Sequence, residues 1–318
     1  ENNCMGKNRI IVIGSCNTDM TIYADRLPKP GETVLGGSFK MFSGGKGGNQ
    51  AVATARLGGE VSFVAKVGND IFGEQVLEQY DKEGIDTRFI LSDSHMPTGV
   101  ALITVDQKGE NCISVASGAN AELKPADIEQ VGELFNMSEI LLLQLEIPIE
   151  TVTYAARLAF DKGVKVILNP APMVSLPDQL FQCLYAIIPN KIDAEALSGI
   201  EIKDRSSARK AADVIAGKGV DIVIITLGDE GALVKEGNCY YDIAADKVEV
   251  VDTTAAGDTF CGALCVALSE GQSIEDAAVF ASCAAGISVS RLGAQSSIPC
   301  RRELVPVGKN RTIDSYQS

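Results

Sequence analysis

The sequence predicts an α/β fold: a three-layer α/β/α domain with a mostly parallel central sheet and a small β-sheet lid. Three observations carry this prediction. First, short apolar, β-branched runs alternate with amphipathic, Ala-rich segments along most of the 318 residues, as expected for strands buried on both faces between helices. Second, two stretches, about 17–43 and 97–120, interrupt that alternation with turn signals and no helical period, and read as antiparallel strands of the lid. Third, the composition is rich in small residues and poor in aromatics, with 31 Gly, no Trp and 46% hydrophobic residues, which suits helices packed closely on a sheet. No linker, low-complexity tract or repeat divides the chain, so 1–318 reads as one domain. Residues 306–318 are polar and patternless and read as a poorly ordered tail.

Each element follows from its local pattern. RIIVIG (9–14) is a β-branched run closed by Gly, a buried strand. Residues 17–40 alternate around Pro28-Lys29-Pro30-Gly31 and read as short strands and turns. Residues 44–59 begin with glycines, become Ala-rich and stop at Gly58-Gly59, a loop entering a helix. VSFVAKVG (61–68) is a strand and 71–83 an amphipathic helix. TGVALITVD (98–106) and NCISVAS (111–117) flank QKGE as a hairpin. Strand-helix units follow: 139–146 with a helix over 149–161, 164–170 with a helical segment near 176–183, and 185–190 with a helix from 191. The strand 221–228 leads into a hairpin ending about 243. Residues 252–271 and 274–293 read as a loop and two helices.

Composition excludes several functions. The formal net charge is −14, so the basic footprint of a nucleic-acid binder is missing. The longest apolar runs, such as ILLLQL, are far too short to span a bilayer. ENNCMGKN lacks the apolar centre of a secretion signal. Nine Cys occur without a C-x-x-C pair, which reads as reduced, mostly buried thiols and a cytoplasmic protein. The single His, His95, lies in a polar loop, SDSHMPTG, which disfavours a Ser-His-Asp triad or a His-containing zinc site.

Four motifs could carry chemistry. Ser43-Gly44-Gly45-Lys46-Gly47-Gly48-Asn49 lets backbone approach a ligand closely. It is neither a Walker loop, since Gly follows Lys46, nor G-x-G-x-x-G, since Gln50 replaces the last Gly; a plain flexible turn is the alternative. Asp252-Thr253-Thr254-Ala255-Ala256-Gly257-Asp258-Thr259 leads into an apolar helix, where the N–H groups of 255–258 could all remain free as an anion hole. Asp258 would stand beside that anion as a proton acceptor, or be an ordinary first-turn acid or cap. Thr226-Leu227-Gly228-Asp229-Glu230-Gly231 and Asn190-Lys191-Ile192-Asp193 follow strands, where open α/β sheets bind ligands. A turn and a helix cap are the alternatives. Asn17, Asp19 and Glu146 also follow strand ends, and suit the hydroxyls of a sugar.

In this order, the segments resemble the PfkB-type carbohydrate kinases, over about 9–305. GGKGGN matches the early glycine motif and DTTAAGDTF the late motif D-T-x-A-A-G-D-x-F. PGETV (30–34), NQAVA (49–53), TGVALI (98–103), QLE (144–146), NPAP (169–172) and GAQSSIP (293–299) look like its ribose-phosphorylating members. The resemblance implies transfer from Mg-ATP to the 5-hydroxyl of D-ribose, giving ribose 5-phosphate and ADP. It implies Mg²⁺ and K⁺ as cofactors and a homodimer built through the lid. Asn17, Asp19, Gly45, Lys46, Asn49 and Glu146 would hold the sugar with Asp258, the catalytic base. Ala255, Ala256, Gly257 and the Asp258 amide would form the anion hole. Asn190, Thr226, Gly228, Gly231 and Gly257 would line the ATP site. Asp252, Thr254, Ser288, Arg291, Gly293 and Ser297 would hold K⁺, several through carbonyls, and Asp193 would hold Mg²⁺ through water.

The chain departs from the family at three places. Asp193 stands for a Glu and is shorter by one methylene. Thr254 stands where an aliphatic residue is frequent, and Gly48 replaces a common Ala, reading as a looser loop. Rival readings are a kinase of deoxyribose, a nucleoside or another furanose; a non-catalytic sensor, disfavoured by an intact Asp258; and a dinucleotide oxidoreductase. The last is disfavoured by Gly14-Ser15-Cys16-Asn17 where G-x-G-x-x-G would begin.

Overall fold

The computed structural model describes residues 9–304; the expected tail at 306–318 lies outside them. In chain order the strands are β1 (Arg9–Ile13), β2 (Asn17–Tyr23), β3 (Ser38–Gly44), β4 (Glu60–Gly68), β5 (Ile90–Asp93), β6 (Gly99–Val105), β7 (Asn111–Ala116), β8 (Ser138–Leu143), β9 (Lys165–Leu168), β10 (Ala186–Ile187), β11 (Ile222–Thr226), β12 (Ala232–Glu236) and β13 (Cys239–Ile243). The helices are α1 (Lys46–Arg56), α2 (Ile71–Lys82), α3 (Pro125–Gln130), α4 (Ile149–Asp161), α5 (Asp178–Phe181), α6 (Lys191–Ser198), α7 (Arg205–Ala216), α8 (Ala256–Ser269) and α9 (Ile274–Val289).

The strands form a nine-stranded sheet of order β13-β12-β11-β10-β9-β8-β1-β4-β5 and a four-stranded sheet of order β3-β2-β6-β7. From β5 across to β11 every pairing is parallel, and the β11-β12-β13 edge is antiparallel. Because side chains alternate along a strand, β1 feeds two cores. Ile10 and Val12 pack with Ala51 of α1, Leu264 of α8 and Ala281 of α9. Ile11 and Ile13 pack with Val152 of α4 and Ala208 of α7. This is the expected three-layer α/β/α arrangement with a second small sheet.

In the small sheet β2 pairs antiparallel with β3 and parallel with β6, and β6 pairs antiparallel with β7. Its strand β2 leaves the carboxyl end of β1 after a short turn, and β3 returns directly into α1. The two sheets therefore meet where α1 begins.

Helix α7 was not foreseen. Asp204 caps it, its side chain accepting from Ser207 N, and the buried stripe is Ala208, Ala211, Ala212 and Ile215. That spacing is helical, but Ala marks an apolar face weakly in sequence.

Candidate active site

A cleft of about 640 Å³ lies between the small sheet and the carboxyl ends of the parallel strands. Asn17, Asp19, Gly45, Lys46, Asn49, Glu146, Asn190, Thr226 and Gly228 line it together with Thr254, Ala255, Gly257 and Asp258. Motifs far apart in sequence thus share one cavity. Ala101 and Ile103 of β6 and Ile113 and Val115 of β7 form its apolar side.

The start of α1 sits against the β1–β2 turn because its glycines permit it. A Cβ at Gly47 would lie 2.6 Å from Gly14 C and Ser15 N. Gly48 is similarly tight: a Cβ there would lie 2.0 Å from Tyr80 Oη. The expectation that Gly48 merely loosens the loop is therefore corrected. Its missing methyl makes room for a buried phenol, which also accepts from Gln295 Nε2 at 3.3 Å and stacks edge-on against Phe63.

Three polar side chains of the cleft, Asn17, Glu146 and Asp258, are held from behind. Glu146 Oε2 accepts from Ser15 Oγ at 2.5 Å and from Lys46 N at 2.9 Å. Asn120 Oδ1 accepts from Cys16 N at 2.8 Å, while its Nδ2 donates to Cys16 O at 3.1 Å and to Asn17 Oδ1 at 2.7 Å. That leaves the Asn17 NH2 group for a ligand. Asp258 receives an amide on each oxygen: Asn49 Nδ2 donates to Oδ2 and Gln50 Nε2 to Oδ1, both at 2.9 Å. Ser15, Gln50 and Asn120 were missed as site residues. Gln50 could have been suspected from its place beside Asn49; Asn120 carries no local signal.

Crowding of acids sets the electrostatics. Burial, then Glu146 and Asp258, pushes the Asp19 carboxyl up to about 7. The negative charge of Asp258 raises the Lys46 ammonium despite burial. Burial also raises Asp193, whose Oδ2 has no partner among the described residues. Asp193 does not line the cleft, although Lys191 and Ile192 beside it do. Asn190 Oδ1 caps α6, accepting from Asp193 N at 2.8 Å, so the capping alternative holds for its oxygen while the residue still lines the cleft.

Helix α8 opens on strained backbone. Ala255, its N-terminal cap, has φ 59° and is the one non-Gly residue with positive φ among the described residues. Such a conformation costs an L-residue about 1 kcal/mol or more and persists where the surroundings demand it. The expectation that all amides of 255–258 stay free is corrected at Ala256, whose N–H donates to Thr253 O at 3.2 Å. The amides of Ala255, Gly257 and Asp258 have no acceptor among the described residues.

The remaining predicted residues lie outside the cleft lining. Gly231 N donates to Gly228 O at 3.0 Å, closing the loop after β11. Asp252 ties two loops together: Oδ1 accepts from Thr254 N and Oδ2 from Gly293 N, both at 2.9 Å. The buried hydroxyls of Ser288 and Ser297 lie 2.8 Å apart, and Arg291 pairs with Glu303.

Residues 7–301 match the pfkB family carbohydrate kinase. The chain belongs to this family. Among its relatives in this kinase family, the ribokinase of Haemophilus influenzae is 44% identical over 297 residues, covering 93% of this chain and 97% of that protein. The deoxyribokinase of Salmonella typhi is 36% identical over 291 residues, covering 91% and 95% respectively. The structure of Arabidopsis thaliana ribokinase complexed with ribose and ATP superposes with a TM-score of 0.88 at 32% identity, covering 94% of this chain and 97% of that one. Among the described residues of this carbohydrate kinase, no helix is long and apolar enough to cross a membrane.

Proposed function

We propose that the chain transfers the γ-phosphoryl group of ATP to the 5-hydroxyl of D-ribose, giving ribose 5-phosphate and ADP. The observation that carries this reading is the position of Asp258. Its carboxylate is gripped on both oxygens at the start of α8, beside amides without an acceptor among the described residues, in a cleft shared with Asn17, Asp19, Lys46, Asn49 and Glu146. The ribokinase relatives, and the ribose and ATP of the Arabidopsis thaliana complex, support the identity of the two ligands.

In this reading Asn17, Asp19, Gly45, Lys46, Asn49 and Glu146 hold the sugar. Asp258 takes the proton of the 5-hydroxyl as that oxygen attacks the γ-phosphorus. The new O–P bond forms while the bond to the β,γ-bridging oxygen breaks, and ADP leaves with the electron pair. The amides of Ala255, Gly257 and Asp258, aided by the α8 dipole, stabilise the charge on the transferring oxygens; Ala256 shapes the turn instead. Asn190, Thr226, Gly228, Gly231 and Gly257 position the nucleotide. The small sheet acts as a lid that excludes water and so suppresses hydrolysis of ATP.

The residues present fit both cations that the family implies. Asp193 has a buried oxygen without a partner among the described residues, which suits a water-bridged Mg²⁺ that neutralises phosphate charge. Asp252, Thr254, Ser288, Gly293 and Ser297, with the Arg291 carbonyl, offer oxygen donors, and the Arg291 guanidinium is drawn to Glu303. K⁺ held there would add positive charge near the start of α8.

Two further features support the assembly and location. Ile22, Phe39, Met41 and Leu102 are exposed on one face of the small sheet, as the pairings Ile22–Phe39, Met20–Met41 and Met20–Leu102 require. Such a patch suits a homodimer formed through the lid. The buried free thiols of Cys16, Cys261 and Cys265 suit the reducing cytoplasm.

The test is ADP release from Mg-ATP with D-ribose, with and without K⁺, beside 2-deoxyribose. The Salmonella typhi relative makes deoxyribose the second reading. Ribose-dependent turnover should rise with K⁺ and fall by about 10³-fold in Asp258→Asn. Turnover on 2-deoxyribose alone would move the assignment to that sugar, and an active Asp258→Asn would remove the base.

A further inference from the structure

Two buried amide side chains stand behind Asp258, one of them touching it. Gln50 and Gln144 are both 0% exposed, and neither lines the cleft. Gln50 Nε2 donates to Asp258 Oδ1 at 2.9 Å and to Asn169 Oδ1 at 3.2 Å. Its Oε1 accepts from Gln144 Nε2 at 2.6 Å. Asn169 is fixed in turn, because its Nδ2 donates to the Ile188 carbonyl at 2.9 Å, a group that can only accept.

The amide of Gln50 therefore has one permitted orientation. Turned over, its oxygen would face the Asp258 carboxylate and Asn169 Oδ1, and its NH2 would face the NH2 of Gln144. Maintaining this chain is costly. Buried amides lose solvation, and an aliphatic side chain of similar shape would fill the space without that loss. Gln144 even retains an Oε1 with no partner among the described residues. Polar groups kept under such conditions call for an explanation.

Asn49 also grips Asp258, but it lines the cleft and is therefore exposed to whatever the sugar does there. Gln50 approaches from the protein side alone. We infer that Gln50, oriented by Gln144 and Asn169, is a positioning residue for phosphoryl transfer: it fixes the rotation of the Asp258 carboxylate, so that the same edge faces the sugar hydroxyl in every turnover. This rests on Asp258 being the base. Lys46, Asp19 and Cys261 are in electrostatic contact with Asp258, and they are unchanged in the variants below.

The experiment compares kcat and the KM for ribose in Gln50→Met, Gln144→Met, the double variant and Asp258→Asn. Gln50→Met should lower kcat by about 10²-fold and leave KM within roughly threefold. Gln144→Met should lower kcat by roughly tenfold, and the double variant should be no worse than Gln50→Met, since Gln144 acts through Gln50. A wild-type kcat in Gln50→Met, a loss confined to KM, or additive losses in the double variant would each overturn the inference. Should Gln50→Met fail to fold, an unchanged kcat in Gln144→Met does so instead. An active Asp258→Asn would bring down the base itself. An inactive Asp258→Asn beside a wild-type-like Gln50→Met would bring down only the positioning.

Discussion

Consider adding a single methyl group at Gly48. In an exposed helix interior Gly→Ala stabilises by about 1 kcal/mol. Here the Cβ would sit 2.0 Å from Tyr80 Oη, so one of the two must move by about 1.5 Å to reach ordinary contact. The phenol cannot swing away freely: it is fully buried, its ring packs edge-on at 5.5 Å from Phe63, and its oxygen accepts from Gln295. Overpacking of this kind costs about 1–3 kcal/mol. A 2.0 Å approach puts the cost in the upper part of that range, at about 2–3 kcal/mol; less about 1 kcal/mol of helix propensity, Gly48→Ala should destabilise by about 1–2 kcal/mol, a fall in Tm of a few degrees for a domain of this size.

Removing the hydroxyl tests the cause. In a Tyr80→Phe background the nearest obstacles to the new methyl become the ring Cζ at 3.1 Å and Gln295 Nε2 at 3.3 Å, which small shifts relieve. Tyr80→Phe alone should cost about 1 kcal/mol through the lost hydrogen bond. Adding Gly48→Ala should then cost nothing further. Thermal and urea unfolding of the four proteins give the coupling, expected at about 1–2 kcal/mol. An equal loss from Gly48→Ala in both backgrounds, or no loss in either, would refute the steric account. Activity supplies a second reading, since Asn49 follows Gly48 and a shift of α1 would draw its amide away from Asp258.

Two further outcomes follow from the site and its surroundings. Asp19 keeps its proton up to about pH 7 in the folded protein but releases it near 3.8 when unfolded. The folded state therefore holds more protons between those values, and stability falls as pH rises through that window. Asp19→Asn should flatten the fall in Tm between the unfolded value of 3.8 and about 7 and weaken ribose binding; parallel Tm profiles would contradict the buried-acid account. For the small sheet, Phe39→Asp should convert a dimer to monomer in sedimentation at micromolar concentration, since a charge in an apolar interface is poorly solvated. An unchanged mass would remove the lid-mediated dimer.

Much of the fold could be read before any coordinates. The β-branched runs at 9–14, 139–146 and 221–228 became β1, β8 and β11, and 149–161 became α4 with the same limits. These elements are legible because period and capping are local properties. The site motifs were legible for the same reason: glycines before α1 and small residues before α8 announce helix starts where anions bind. What escaped were the contacts behind those motifs. Gln50 reaches Asp258 across 208 residues of sequence, Gln144 reaches Gln50 across 94, and Asn120 reaches Cys16 across 104. Nothing in periodicity encodes such partners.

Gly48 shows the limit most clearly. By sequence it is a glycine in a glycine-rich loop, with flexibility as its natural explanation. In the folded chain it is buried helix backbone pressed against a phenol from α2. Ala256 is the mirror case: its place in the motif suggested a free amide, and the turn geometry engages it with Thr253. The sequence alone determined the layered α/β architecture, the acidic and thiol-rich character, and which residues could meet a phosphate or a sugar. The tertiary structure alone decided which of those groups share a cleft, which are already partnered, and which silent residues hold them in place. Local propensity is written in neighbours along the chain, whereas packing and hydrogen-bond partnership are set by which surfaces the fold brings together.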